Sequence, residues 1–520
     1  MQTAIAGCSK QREREMAGGN GIVRGVIMDE AVVLQQNQEC LQPGAESLLR
    51  KLRYSGIRTG ISYGPGLSSR KVSLLKRMAN LHSVDCFMLD ASSTYAAIHE
   101  VMLSWHDIGG SILYLVSNEK KDISLELSNC NWLITVLNTE GGSSCESSSI
   151  IQINRLDELP LTICHFNRKE TGKNVTTVGY VMKPSRQEDF AKRGAFPMYP
   201  TKNGLMFLPL TFELPLSPQL QEVDIVLHKA TDEILSIELS GSSGHPNKIT
   251  YTRGMQELKC YMDHHVDFCV IDPLDNIYPV LDRHKIQQIL LGLEDVNTSG
   301  VKIRGPHFLK VDDFNEPDFL QRLSKAKLSL PSIVKPQVAC GVPDAHSMAI
   351  VFKVEDFKDL SVPLPAVIQE YVNHSSILYK FYVLGEKVFY AVKNSTPNTD
   401  TLMKLCGSNE LRPLVFDSVG DLVDSLKSLP TANEKEHRVN ERIDHDRVRD
   451  AAEWLMRNLG LTIFGFDVVI EERSGEHVIV DVNYLPSFKE VPDDVAIPAL
   501  WDAIKRKSES RRTQREENKC

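Results

Sequence analysis

The chain has 520 residues, 42% of them hydrophobic and 24% charged, with a formal net charge of −9. That length exceeds what one hydrophobic core organises, and the composition is that of an ordinary soluble globular protein, so about two to four domains are expected. No run approaches the ~20 apolar residues of a membrane span, the acidic balance argues against general nucleic-acid binding, and 11 cysteines without a CxxC pair suggest neither a zinc site nor a disulfide framework.

Thiols scattered in this way suit a reducing compartment, the cytosol or the nucleus. Residues 1–20 mix Lys, Arg and Glu around small residues without an apolar signal core, and read as a disordered lead-in. Across residues 21–139 short apolar strands (GIVRGVIM, IRTGISYG, VDCFMLD, SILYLV) alternate with helical segments (AESLLRKLRYSG, SRKVSLLKRMANL, STYAAIHEVMLSWHDIG). Such alternation predicts a parallel sheet covered on both faces. Gly56 and Gly109 fall where helices should end. Residues 140–173, which open on EGGSSCESSS, read as a linker.

Residues 174–281 return to strand and helix, with NVTTVGYVMKPS and EVDIVLHKATDEI. Residues 282–398 hold LPSIVKP, MAIVF, PAVIQEYV, ILYKFYVLG and KVFYAV, joined by short turns, and read as an antiparallel sheet flanked by helices. Residues 399–505 contain one amphipathic helix, DHDRVRDAAEWLMRNLG, with Val448, Ala452, Leu455 and Leu459 on one stripe and Gly460 at its end. Two strands follow, IFGFDVVI and HVIVDVNYLP, and residues 506–520 form a charged tail that reads as a solvated helix end.

Those last two strands each bury an acid in an apolar run. Asp467 lies between Phe466 and Val468, and Asp481 between Val480 and Val482. An ionised carboxylate there is costly unless it is paired or binds a metal. The polar turn EERSGE predicts a hairpin that sets the two acids side by side, and the spacing of Asp481 and Asn483 puts both on one strand face. Three hard oxygen ligands suit Mg²⁺. In the other reading Asp481 caps a turn and Asp467 pairs with an arginine of the core. Lys229, Lys335 and Lys380 end or interrupt apolar strands. Each alone snorkels as readily as it grips an anion. Three of them upstream of the Asp/Asp/Asn set point to phosphates neutralised by lysine and metal together.

At this point the segments VGYVMKPSRQEDF, VDIVLHKATDEI, DPLDNIYPVLDRHKIQQIL, IVKPQVACGVPDAHSMAIVF, VIQEYVNHSSILYKFYVLGE, FGFDVVI and HVIVDVNYLP resemble, in order, the inositol 1,3,4-trisphosphate 5/6-kinases, also called inositol-tetrakisphosphate 1-kinases. The resemblance spans residues 175–505 and implies an ATP-grasp fold, divided into subdomains at 174–281 (substrate-binding), 282–398 (central) and 399–505 (metal-binding). It implies an α/β chain in which the ATP-grasp part follows a Rossmannoid parallel-sheet domain. The front part, residues 21–139, is similar to haloacid-dehalogenase-like domains, an addition similar to that of one subgroup of the plant enzymes. Asp29 matches the nucleophile of such domains, but Ala31 stands where the second acid belongs and LYLVSNEK offers no acidic pair for Mg²⁺, so this domain is expected to be catalytically inactive.

Carried over residue by residue, the resemblance implies that Arg186 and Lys229 bind inositol phosphate and that Arg283 and Lys335 bind ATP phosphates. Gln369, Glu370, Tyr371 and Val372 match the adenine hinge, and Ser395 a nucleotide contact. His346 and Lys380 match residues at the transferred phosphate and the substrate, while Asp467, Asp481 and Asn483 match Mg²⁺ ligands, Asn483 also touching substrate. Two departures stand out. The flap PQVACGVPDA has one glycine and a proline, which predicts less pliability. Ser487 replaces a glycine usual beside the substrate pocket. The implied activity is transfer of the γ-phosphoryl of ATP to a hydroxyl of an inositol tris- or tetrakisphosphate by a monomer. An inositol-phosphate-binding scaffold and an ATP-grasp ligase are the alternatives.

Overall fold

The computed structural model describes residues 21–35, 40–89, 94–120, 132–138, 150–239, 248–296, 300–405, 412–417 and 443–517. The expected lead-in, the start of the expected linker and residues 518–520 of the tail lie outside them. The chain divides into two compact units, Met1–Leu227 and His228–Cys520.

The first unit opens on six strands: β1 (Val23–Asp29), β2 (Arg58–Tyr63), β3 (Asp85–Met88), β4 (Ser111–Ser117), β5 (Leu133–Leu137) and β6 (Ile150–Ile153). They form one sheet in the order β3-β2-β1-β4-β5-β6, every described pair parallel. Successive residues of β1 serve opposite faces, Val26 and Met28 joining one buried cluster and Ile27 the other. A strand buried on both sides reads as a continuous apolar run for this reason. Gly56 follows the helix Ala45–Tyr54 with φ 70°, as its position after the last helical turn requires.

The expected linker is corrected here. Its Gly/Ser-rich character stops at Ser149, and β6 and the helix Leu159–Thr171 complete the front domain. That helix buries Leu159, Ile163 and Cys164, an amphipathic pattern inconsistent with a free tether. Its Asn167 is fully buried, accepts a hydrogen bond from Val23 N at 2.6 Å and donates to Met198 O at 2.9 Å. The same unit continues into β7 (Thr176–Val181), which runs parallel to β8 (Leu205–Pro209), and then β9 (Ile225–His228). Tyr199 joins this segment to the front domain, with the Arg24 guanidinium 3.6 Å from its ring centroid and Gly56 so close that a Cβ there would lie 2.8 Å from the ring.

The second unit begins with the antiparallel pair β10 (Ile234–Glu238) and β11 (Lys248–Tyr251), followed by β12 (Cys269–Ile271). Ten more strands follow: β13 (Ile303–Arg304), β14 (Phe308–Val311), β15 (Ser332–Pro336), β16 (Ser347–Val351), β17 (Ala366–Glu370), β18 (Ile377–Leu384), β19 (Lys387–Asn394), β20 (Leu414–Asp417), β21 (Ile463–Ile470) and β22 (His477–Tyr484). They build two five-stranded sheets, β14-β17-β15-β16-β20 and β13-β22-β21-β18-β19. The single central sheet expected for 282–398 is therefore split, because β18 and β19 join the last two strands instead. Apolar pairing accounts for this: Phe381 of β18 faces Phe466 of β21 in register, their rings stacked at 5.1 Å. The helix His445–Leu459 buries Val448, Ala452, Leu455 and Leu459, takes Asp444 as N-cap and ends at Gly460 with φ 66°. The last helix, Asp493–Glu517, runs on through the expected tail. Among the described residues no helix is long and apolar enough to cross a membrane.

Removing the Asn167 amide strands Val23 N and Met198 O in the interior. Asn167→Ala should lower the unfolding free energy by about 2–3 kcal/mol, read from urea denaturation of the full chain.

Candidate active site

The two acid-bearing strands are pinned at one end by a buried polar cluster. The Asp272 carboxylate accepts from Thr462 N at 2.7 Å and from the Thr462 hydroxyl at 2.6 Å, which fixes the start of β21. The Tyr484 hydroxyl, at the end of β22, accepts from Asp272 N at 2.8 Å and lies 2.8 Å from Ile271 O and 2.9 Å from His228 O, to one of which it donates. Tyr484 and His228 are buried, and burial pushes the phenol far above its ordinary range and the imidazole down to about 4.

From that anchor the register assembles one chemical face. Lys380 pairs with Asp467, Asp467 with Asp481, Tyr382 with Gly465, and Gly465 with Asn483. The two-residue alternation of strands then puts Lys380, Tyr382, Asp467, Asp481 and Asn483 on the same side. Lys380 Nζ is 3.7 Å from Asp467 Oδ2, and the Asn483 amide donates to Asp481 Oδ2 at 3.0 Å. Burial pushes Asp467 up to about 7, Lys380 pulling against it and Asp481 adding to it. Gly465 lets β18 approach closely, since a Cβ there would meet Phe381 O at 2.9 Å. The facing sheet contributes Lys335, whose buried Nζ reaches Val480 O at 3.4 Å. Burial pushes that ammonium down to about 8, with Asp481 opposing. Two neighbouring carboxylates and an amide oxygen on one face, with one carboxyl raised by burial and by its neighbour, fit a hard divalent cation.

Arg283 is held against the flap. Its guanidinium, 5% exposed, donates to Pro336 O at 2.8 Å, Val338 O at 2.9 Å, Ala345 O at 3.1 Å and Ala339 O at 3.4 Å. A buried cation needs local acceptors, and here the carbonyls of the flap supply them. Gln337 strengthens the same tie through its amide, 3.0 Å from both Asp282 oxygens. Gly341 turns the flap at φ +85°, where a Cβ would strike Ile234 at 2.9 Å. Arg283, Gln337 and the turn at Gly341 thus fasten the flap.

At the hinge, Gln369 is buried and its Nε2 has no hydrogen-bond partner. Glu370 is held by Arg304 Nη1 at 2.5 Å, with His307 Nε2 at 3.8 Å, and the Tyr371 hydroxyl donates to Pro397 O at 2.6 Å. Val372 is buried, and Ser395 N donates to Ser376 O at 2.8 Å beside it in the chain's next strand pair. His346 ends the short turn Pro343–His346 and is half-buried. Lys229 donates to Tyr484 O, next to Asn483. Ser487 lies just past β22, between Leu485 and Phe488, which both take positive φ. Arg186 is carried by the helix Pro184–Lys192 of the first unit, whereas every other candidate belongs to the second.

In the front domain the Asp29 carboxylate, 2% exposed, meets Lys120 Nζ at 2.9 Å, and the same ammonium meets Glu30 at 2.6 Å. The Tyr114 hydroxyl adds a hydrogen bond at 3.3 Å. A lysine thus stands between two acids at the strand end where a metal-dependent phosphatase would hold its cation.

Comparison with known proteins matches residues 16–169 to the N-terminal HAD-like domain of ITPK4 and residues 298–501 to the inositol 1,3,4-trisphosphate 5/6-kinase ATP-grasp domain. Inositol-tetrakisphosphate 1-kinase 6 of Oryza sativa subsp. indica is 48% identical over 497 residues, covering 94% of this chain and 88% of that protein. The chain belongs to the inositol-tetrakisphosphate 1-kinase family. A more distant relative, inositol-tetrakisphosphate 1-kinase of Xenopus laevis, is 28% identical and covers 61% of this chain and 75% of its own. The D-alanine–D-alanine ligase of Bacillus anthracis superimposes at TM-score 0.37 and 14% identity over 65% of this chain and all (100%) of that one, a likeness too remote to carry an argument. The ATP-grasp fold of this inositol-tetrakisphosphate 1-kinase family member rests on the matched domain.

Sequence reasoning passed over Tyr382, Lys393 and Glu490. Lys393 pairs with Leu378 and so shares the face of Lys380. Its position two residues before Ser395 was a usable signal. Asp272 and Tyr484 were visible only as members of the quoted motifs, and nothing in the sequence joins them.

Two predictions follow from these contacts. Arg283→Lys cannot reach all four flap carbonyls, and should raise the KM for ATP about tenfold while lowering the melting temperature, with binding and scanning calorimetry as the readouts. The unfolded chain protonates His228 near 6.5 and the folded chain only near 4. Between those values the unfolded state binds more protons, so stability falls as pH drops through the window, by up to ~3 kcal/mol. His228→Gln should flatten that fall. The difference between the two urea-stability curves isolates His228 from Asp272, whose carboxyl, raised by burial to about 6, has the opposite slope.

Proposed function

We propose that the chain transfers the γ-phosphoryl of ATP to a hydroxyl of an inositol tris- or tetrakisphosphate. The chain is an ATP-dependent inositol phosphate kinase, a reading supported by relatives named inositol-tetrakisphosphate 1-kinase across most of its length. The observation that carries the chemistry is the face shared by Asp467, Asp481, Asn483 and Lys380, with Lys335 reaching it from the facing sheet.

In this reading Asp467, Asp481 and Asn483 would hold Mg²⁺, which would supply positive charge against the charge developing on the transferring phosphoryl. Lys335 grips ATP phosphates, and their negative charge keeps its depressed ammonium protonated. The buried orphan Nε2 of Gln369 supplies a donor for the adenine ring, with the backbone of Glu370, Tyr371 and Val372 alongside and Ser395 nearby. Lys380 binds substrate and the transferring phosphoryl, and Lys229, Asn483 and Ser487 bind substrate. His346 orients the accepting hydroxyl. Arg283 acts through the flap, as a positioning residue. Phosphoryl transfer demands little covalent chemistry of the protein, so alignment and charge neutralisation supply most of the rate. The protein works as a monomer in the cytosol or nucleus.

Incubation with Mg-ATP and a panel of inositol tris- and tetrakisphosphates, with the products resolved chromatographically, should give phosphorylated inositols. Asp481→Asn should lower kcat at least ~10²-fold. Binding without turnover, or turnover undiminished in the variant, would sink the assignment.

A further inference from the structure

The residues that follow β22 carry a carboxylate for which phosphate binding has no obvious use. Glu490 lies between β22 and the last helix, its side chain 30% exposed. One oxygen is ion-paired with Lys393 Nζ, and the other accepts from the Tyr382 hydroxyl at 2.5 Å. Both partners sit on the chemical face of the sheet, Tyr382 two residues from Lys380 and Lys393 opposite Leu378 on the neighbouring strand.

A face that receives a ring bearing several phosphates gains from every free cation. Here one lysine of the β18–β19 pair is already neutralised. A second consequence is local: Glu490 holds the segment that carries Ser487 and Phe488 down onto the sheet. A phosphate brought to this rim would meet the Glu490 carboxylate together with Lys393, and like charges at such range repel strongly in a partly desolvated site.

We propose that Glu490 is a specificity residue, which claims Lys393 and so limits how many phosphates the inositol ring carries into the site. The inference rests on the kinase reading above. Glu490→Gln keeps the shape and an acceptor for Tyr382 but removes the charge, which frees Lys393 for substrate. The measured quantity is the ratio of kcat/KM for an inositol tetrakisphosphate to that for a trisphosphate, with Mg-ATP saturating. In Glu490→Gln this ratio should rise about tenfold, chiefly through KM for the tetrakisphosphate, with KM for ATP unchanged. Adding Lys393→Met to Glu490→Gln should return the ratio towards its original value, because the gain depends on the released ammonium.

Lys393→Met alone, which bares the Glu490 charge, should lower the ratio and provides the test if Glu490→Gln misfolds by melting temperature. An unchanged ratio in folded variants that still phosphorylate both substrates overturns the inference and leaves the kinase reading standing. Failure of the unmodified protein to phosphorylate any inositol phosphate overturns both together.

Discussion

Asp467 and Asp481 face each other across β21 and β22, two carboxylates that repel, and burial of Asp467 adds to the cost. That repulsion sets the terms for everything placed around them. Lys380 comes in on the next strand and Lys335 from the opposing sheet, each set against the negative charge of the pair. Holding such a pair in place takes a rigid frame, and the frame is the Asp272–Tyr484 cluster. Its hydrogen bonds seize the first residues of one strand and the last of the other. The pinned end is remote from solvent, so the strain of like charges cannot relax by fraying the hairpin.

Much of this was legible before any coordinates. Acids interrupting apolar strands, a polar turn between them and a two-residue spacing to Asn483 are local patterns, and local patterns survive translation into structure. The alternating strands and helices of the front domain were legible for the same reason, since a strand buried on both faces has no polar alternation to hide it. The opposite reading of Asp467, a pairing with a core arginine, finds no support in the contacts: its ion-pair partner is Lys380.

Long-range pairing was not legible. Whether β18 and β19 continue the central sheet or join β21 depends on which aromatic surfaces meet, and Phe381 against Phe466 decides it across about eighty intervening residues, a separation at which chain spacing carries no information. Arg283 illustrates a second blind spot. A motif indicates that a cation is needed at a position, but not whether phosphate or backbone carbonyls meet the need. Lys120 is a third case, an ordinary residue of LYLVSNEK until folding sets it between Asp29 and Glu30.

The tie made by Asn167, together with Tyr199 lodged against Arg24 and Gly56, has a bearing on how this architecture was assembled and how it comes apart. The front domain and the strands that follow it are not beads on a string. A recombination junction placed at residue 174, attractive on sequence, would cut through a packed interior and expose apolar surface on both products. Because the front domain shares this interior, its loss is expected to act first on solubility and lifetime and only then on catalysis.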